Sequence, residues 1–241
     1  MTRAARFLAA SLVVLATLTA CGASAQPAPT QRTSTEAARG LALERVLTET
    51  GLELDELVVP SDPRGAVRLE LRDAQSLAVL VDVRVLSSAR EARERLSSLE
   101  PSLSSLGVVA VTGMGDAAFG DEAGTVLALA RGNVLVVLRA IPRETVIDLR
   151  ALAAATVRAC DASPTLGREG ASPALAATVV PALQGGGATI ALPRGYVALR
   201  VDVEGEGLAR RGEGDTWIVE RARDREDVHV TAVDALLRVA R

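Results

Sequence analysis

Residues 79–85, Val-Leu-Val-Asp-Val-Arg-Val, alternate with a period of two, and no other stretch constrains the fold as tightly. In an extended chain Val79, Val81, Val83 and Val85 point to one side, and Asp82 and Arg84 to the other. This is a strand with one wet face. Its partner is the β-type run 66–71, joined to the run 76–86 through the turn Arg72-Asp73-Ala74-Gln75. Ser87 or Ser88 can then cap a helix, with Glu91 completing a capping-box pattern three residues after Ser88. Ala92, Leu96, Leu99 and Leu103 are its inward positions, and Arg90, Arg93 and Glu94 lie outside. Pro101 is expected to end its regular part.

The pattern recurs. Gly107 leads into a strand over 108–111, and the glycine-rich run 113–122 reads as a loop. The runs 125–130 and 134–140 flank Arg131-Gly132-Asn133, a tight hairpin whose Gly and Asn tolerate positive φ. An Ala/Leu helix over 144–160 follows Pro142, opened by Pro142 or Arg143, with Val146, Leu149, Ala153, Thr156 and Val157 facing in. A hairpin followed by a helix thus occurs at 66–105 and again at 125–160. The predicted class is α+β: one antiparallel sheet from two hairpin-helix units, both helices packed on its apolar face. Upstream, a helix is expected over 35–50, stopped by Gly51, and a strand over 52–59. Downstream, residues 164–187 read as a linker, closing an α+β domain over 40–163. Strands expected at 189–192, 196–203, 217–221 and 228–237 make residues 188–241 a small all-β module. It stands apart from the first sheet or completes it.

The N-terminus has another character. Arg3 and Arg6 precede the apolar run 7–18, and small residues follow, which is the layout of an exported leader. The run is about 12 residues, against the roughly 20 of a membrane-spanning helix. Leu18-Thr19-Ala20-Cys21 resembles the lipobox of bacterial lipoproteins. That resemblance implies a signal peptide over 1–21, a diacylglyceryl group on the Cys21 sulfur and cleavage before it. The protein would then sit in the cell envelope, held to the membrane by Cys21. Gly22 in place of Asp after the cysteine implies the periplasmic face of the outer membrane if the source is Gram-negative. Ala23-Ser24-Ala25 offers a rival cleavage before Gln26, which would release a soluble periplasmic or secreted protein. Residues 22–39, rich in Ala, Pro, Ser, Thr and Gln, read as a flexible tether.

The element order also resembles PsbP-like folds. The run Gly113-Met114-Gly115-Asp116-Ala117-Ala118-Phe119, followed by strands around Arg131-Gly132-Asn133, resembles small envelope lipoproteins and extracytoplasmic sensor domains of actinobacterial type. Those sensor domains usually carry paired cysteines, and this chain has only Cys21 and Cys160. With Cys21 lipidated or removed, Cys160 has no intrachain partner and reads as a small buried hydrophobe.

Composition narrows the function classes. Aromatic residues make up 2% of the chain: Phe7, Phe119, Tyr196 and Trp217. The core must be built from Val, Leu and Ala, and flat platforms for sugars or bases are scarce. All 27 basic residues are Arg, which removes lysine chemistry. Losing Arg3 and Arg6 takes the net charge from −3 to −5, unsuited to nucleic acid.

Candidate sites are few. Asp116, Asp121 and Glu122, with Phe119 among them, form an acidic loop that offers a binding surface and oxygen ligands. Its spacing matches neither an EF-hand nor a phosphate loop, so no metal and no cofactor is expected. His229 alternates with Val228 and Val230 on a strand, away from any Gly-x-Ser-x-Gly elbow. Glu204, Glu206, Glu213 and Asp215 around Arg210 and Arg211, and the run Arg221 to Glu226, read as solvated surface. No catalytic residue is expected. The leading expectation is a non-enzymatic envelope lipoprotein that binds a protein or a small envelope ligand. An extracytoplasmic sensor or accessory subunit of an envelope complex, and a hydrolase with an unrecognised site, are the alternatives.

Overall fold

A computed structural model describes residues 38–62, 64–75, 77–103, 107–141, 147–166, 178–181, 188–214, 216–220 and 228–240. The expected leader, Cys21 and the alternative cleavage site at 23–25 lie outside these, as do Val146, Asp215, the run 221–226 and most of the expected linker. The described residues contain both helices and antiparallel sheets.

Helix α1 (Leu43–Thr50) ends where Gly51 takes φ +68°, its N–H donating to the Leu47 carbonyl. It is shorter than the 35–50 expectation, because residues 38–42 are not helical and Ala38, Arg39 and Leu41 hydrogen-bond to distant parts of the chain. Strand β1 (Glu53–Val58) pairs with β2 (Val67–Arg72), and β2 with β3 (Ala78–Val85). Helix α2 (Ala89–Leu103) follows. The Ser88 hydroxyl accepts the Glu91 N–H at 3.2 Å, and the Glu91 carboxylate takes the Ser87 N–H and hydroxyl in return. The helix runs through Pro101 to Leu103.

Strand β4 (Val108–Ala110) pairs with β5 (Ala117–Asp121), which occupies half of the expected 113–122 loop. Strand β6 (Val126–Arg131) pairs with β5 and turns through Gly132 and Asn133 into β7 (Val134–Ile141). The resulting sheet runs β1-β2-β3-β7-β6-β5-β4, so the two hairpins meet along β3 and β7, paired from Ala78↔Ile141 to Val85↔Val134. Helix α3 (Leu149–Ala162) starts later than expected, with the Asp148 carboxylate capping the N–H groups of Arg150 and Ala151.

Helices α2 and α3, expected on one face of the sheet, lie on opposite faces. Val134, Val136 and Leu138 of β7 join Leu127, Leu129, Val79, Val81 and Val83 in one cluster under α1 and α3. Leu135 and Val137, the alternate residues of β7, join Val126, Ala128, Ala130 and Phe119 in another under Ala92 and Leu96 of α2. Alternate side chains of a strand point to opposite faces, so α2 lies across the sheet from α3. The reason is in the sequence of β6 and β7. Both are apolar at nearly every position and buried on both sides, and such strands need cover on each face.

The C-terminal strands form two further sheets. β8 (Thr178–Pro181), β9 (Ala188–Ala191), β11 (Leu208–Arg211) and β12 (Thr216–Glu220) make one, in the order β11-β12-β9-β8. β10 (Tyr196–Val203), β13 (Val228–Asp234) and β14 (Val239–Ala240) make the other. Ile190, Leu199, Val201, Val219 and Ala232 fill the space between them. None of these strands joins the seven-stranded sheet. Val233 and Leu237 nonetheless pack into the core under α1 and α3, so the two parts share buried surface.

Gly115 shows how tightly the central hairpin is held. It sits at φ +62°, and a Cβ there would stand 2.4 Å from the Ala130 carbonyl oxygen. Gly115→Ala is therefore expected to destabilise the fold by at least about 2 kcal/mol in urea unfolding. Gly132→Ala, where no atom lies within 4 Å of the added Cβ, carries the φ cost alone and is expected to lose about 1 kcal/mol.

Candidate functional site

The expected acidic loop does not form a cluster. Asp116 and Asp121 stand at opposite ends of β5, about 16 Å apart at the usual strand rise. Asp116 accepts Arg131 Nη1 at 2.7 Å and the Gly132 N–H at 2.6 Å. Asp121 is buried; its carboxylate takes the Thr125 hydroxyl at 2.5 Å and the Val126 N–H at 2.8 Å. Burial alone would raise the Asp121 pKa, but these bonds outweigh it and hold the carboxyl below its ordinary range. Phe119 is buried beneath α2. Glu122 is exposed, and its backbone N–H donates to the Gly107 carbonyl.

Arg131 and Asn133 turn out to be the busiest side chains of the motif. Besides Asp116, Arg131 binds Asp161 at the end of α3 through Nε at 2.8 Å and Nη2 at 3.1 Å. Asn133 is 3% exposed. Its amide nitrogen donates to the carbonyls of Arg39 and Leu86, both at 2.9 Å, and its Oδ1 accepts the Arg39 N–H. Its φ is not positive; Asn serves here through its side chain, and Gly132 alone takes the left-handed turn position. The same neighbourhood fixes the incoming chain. The Ala38 carbonyl accepts the Leu166 N–H, the Arg39 guanidinium donates to the Asp161 carbonyl, and the Leu41 N–H donates to the Leu236 carbonyl. The spacing of Gly115-Asp116 to Arg131-Gly132-Asn133 is thus explained by structure rather than by chemistry at a ligand.

His229 lies on the outer side of β13, with Nε2 2.9 Å from Glu204 Oε1. Both side chains are more than half exposed, at 56% and 71%, so solvent screens the pair. Cys160 is buried on α3, where desolvation pushes its thiol up to about 12.

A cleft of about 180 Å³ lies elsewhere, between the β4 edge of the sheet and the start of α3. Val109, Val111, Leu127, Ile147 and Leu149 supply its apolar walls. Gly120 lies on its floor, where a Cβ would stand 2.9 Å from the Val126 carbonyl oxygen and 3.7 Å from Val111 Cγ2. Asp121 and Asp148 reach its rim, but each is engaged with backbone N–H groups. Arg150 stands exposed beside them. This arrangement suits an apolar group of a ligand, and its rim carboxylates are poorly placed to act as bases. The cleft is built across distant parts of the chain, and only the apolar run 108–111 hinted at it.

No family model, curated protein or solved structure matches this chain.

Two outcomes follow from these environments. The Cys160 thiol stays protonated at neutral pH, so native protein should resist a thiol reagent such as iodoacetamide, while denatured protein reacts at the ordinary rate. Asp121 has a depressed folded pKa, so its contribution to stability is full above the unfolded value of about 4 and is lost as pH falls through the folded one. Asp121→Asn should lower stability at pH 7 and flatten the acid limb of a stability profile measured between about pH 5 and 2.

Proposed function

We propose that this chain is a non-enzymatic binding protein of the bacterial cell envelope, carried on a diacylglyceryl group at Cys21. Its folded part takes an apolar group of a small envelope ligand or of a partner segment in the cleft between β4 and α3. The observation that carries the binding reading is the cleft itself. Val109, Val111, Leu127, Ile147 and Leu149 line it at a sheet edge, and the carboxylates beside it already cap a turn and a helix. The lipobox carries the location. As a tether, residues 22–37 would link the lipid to the folded part, which holds residues 38–41 by hydrogen bonds.

Mass spectrometry of the mature N-terminus tests the anchor. A diacylated Cys21 is the expected outcome, and a mature chain beginning at Gln26 would replace the anchored reading with an exported soluble one. The cleft is tested by titrating the full mature chain with an environment-sensitive apolar dye. Val109→Phe, which fills the cleft from an edge position 37% exposed, should weaken dye binding at least about tenfold while leaving the thermal midpoint within a few degrees. Unchanged binding in Val109→Phe would contradict the reading.

A further inference from the structure

The α2 side of the sheet is covered only in part. Helix α2 packs on β5, β6 and β7, and the outward side chains of β2 and β3 beyond it are exposed or half-buried, Asp82 excepted. Asp82 stands in this region with its side chain 11% exposed, opposite Arg68 in the β2–β3 register. Arg68 Nε donates to Oδ1 at 2.7 Å and Nη2 to Oδ2 at 3.3 Å; Arg139 Nη1 of β7 donates to Oδ2 at 2.6 Å. One carboxylate therefore serves two guanidiniums. Arg84 lies two positions along β3 on the same side, about 7 Å away. It has no carboxylate partner among the described residues.

Three positive charges thus share one negative charge, in a protein whose net charge is −3. The other acids on this side are further out. Glu70 is engaged by Arg72, and Glu56 on β1 lies opposite Glu70. A guanidinium carries five donors in a planar fork, and Arg68 and Arg139 use only some of theirs on Asp82. Such forks match phosphate and carboxylate oxygens. Apolar surface adjoins the charges. Ile141 is 41% exposed, Val58 39%, and Leu80 lies opposite Arg139.

We propose that Arg68, Arg84 and Arg139 form a second binding site, for a phosphate or carboxylate head attached to an apolar chain. Asp82 is its positioning residue: it holds two guanidiniums side by side and leaves an excess of positive charge between them and Arg84. The apolar chain lies along Leu80 and Ile141. The site is across the sheet from the cleft lined by Leu127 and Leu149, and neither proposal depends on the other.

The test is an NMR titration of the full mature chain with octyl phosphate and octanoate below their micellar concentrations, with inorganic phosphate as the bare-head comparison. The arginine Nε–Hε signals are the readout. The expected result is saturable shifts at Arg68, Arg84 and Arg139, with either amphiphile at least about tenfold tighter than inorganic phosphate. Arg84 makes no hydrogen bond or ion pair among the described residues, so Arg84→Gln should leave the thermal midpoint unchanged. It should weaken octyl phosphate about tenfold, and Arg84→Glu should abolish binding. Equal affinity for Arg84→Gln and the parent chain would overturn the proposal. So would equal affinity for inorganic and octyl phosphate, or shifts spread alike over exposed arginines elsewhere, such as Arg90 and Arg210.

Discussion

The two-residue turn between β6 and β7 is the joint on which the rest of the structure depends. Asn133 is buried there, and every hydrogen-bonding atom of its amide is used. Arg131 reaches Asp116 before β5 and Asp161 in the last turn of α3. The turn thus binds the segment entering the fold at Arg39, the end of β3 at Leu86, the lead into β5 and the end of α3. A buried amide without its partners costs more than the bonds themselves return when made, so these contacts are held together or lost together.

This joint also places the two proposed sites. The β6–β7 pair is apolar on both sides, so α3 must cover one face and α2 the other. Both helices are too short to cover a seven-stranded sheet. On the α3 side the uncovered margin is the cleft beside β4. On the α2 side it is the face of β2 and β3, where Asp82 gathers Arg68 and Arg139. Both proposed sites lie where helical cover runs out, and the two margins differ in chemistry because β4 is apolar and β3 alternates.

Much of the local structure was legible in the sequence. The period-two strand through Val79 and Val85, the capping residues Ser88 and Glu91, and the strand over 196–203 formed as read, because each depends on neighbours in the chain; the expected wet face of the first did not, since Asp82 is buried between Arg68 and Arg139. What was not legible depends on distant residues. The same valine- and leucine-rich runs that marked β6 and β7 as strands did not say that both their faces would be covered. Phe119, set beside acids in a glycine-rich stretch, reads as loop; only pairing of β5 with β4 and β6 carries it under α2. The acids of that stretch separate because a strand lies between them, and the Arg68–Asp82–Arg139 group adds β7 to the β2–β3 hairpin, a pairing that no local pattern shows.

The Asn133 turn couples the incoming segment to the body of the fold, and native-state hydrogen exchange on Asn133→Ala measures that coupling. The amides of Arg39, Leu41 and Leu166 are expected to lose protection together, since the segment 38–41 is released as a unit, while the β3–β7 ladder keeps its protection. Loss confined to the Arg39 amide, with Leu41 and Leu166 unchanged, would contradict it.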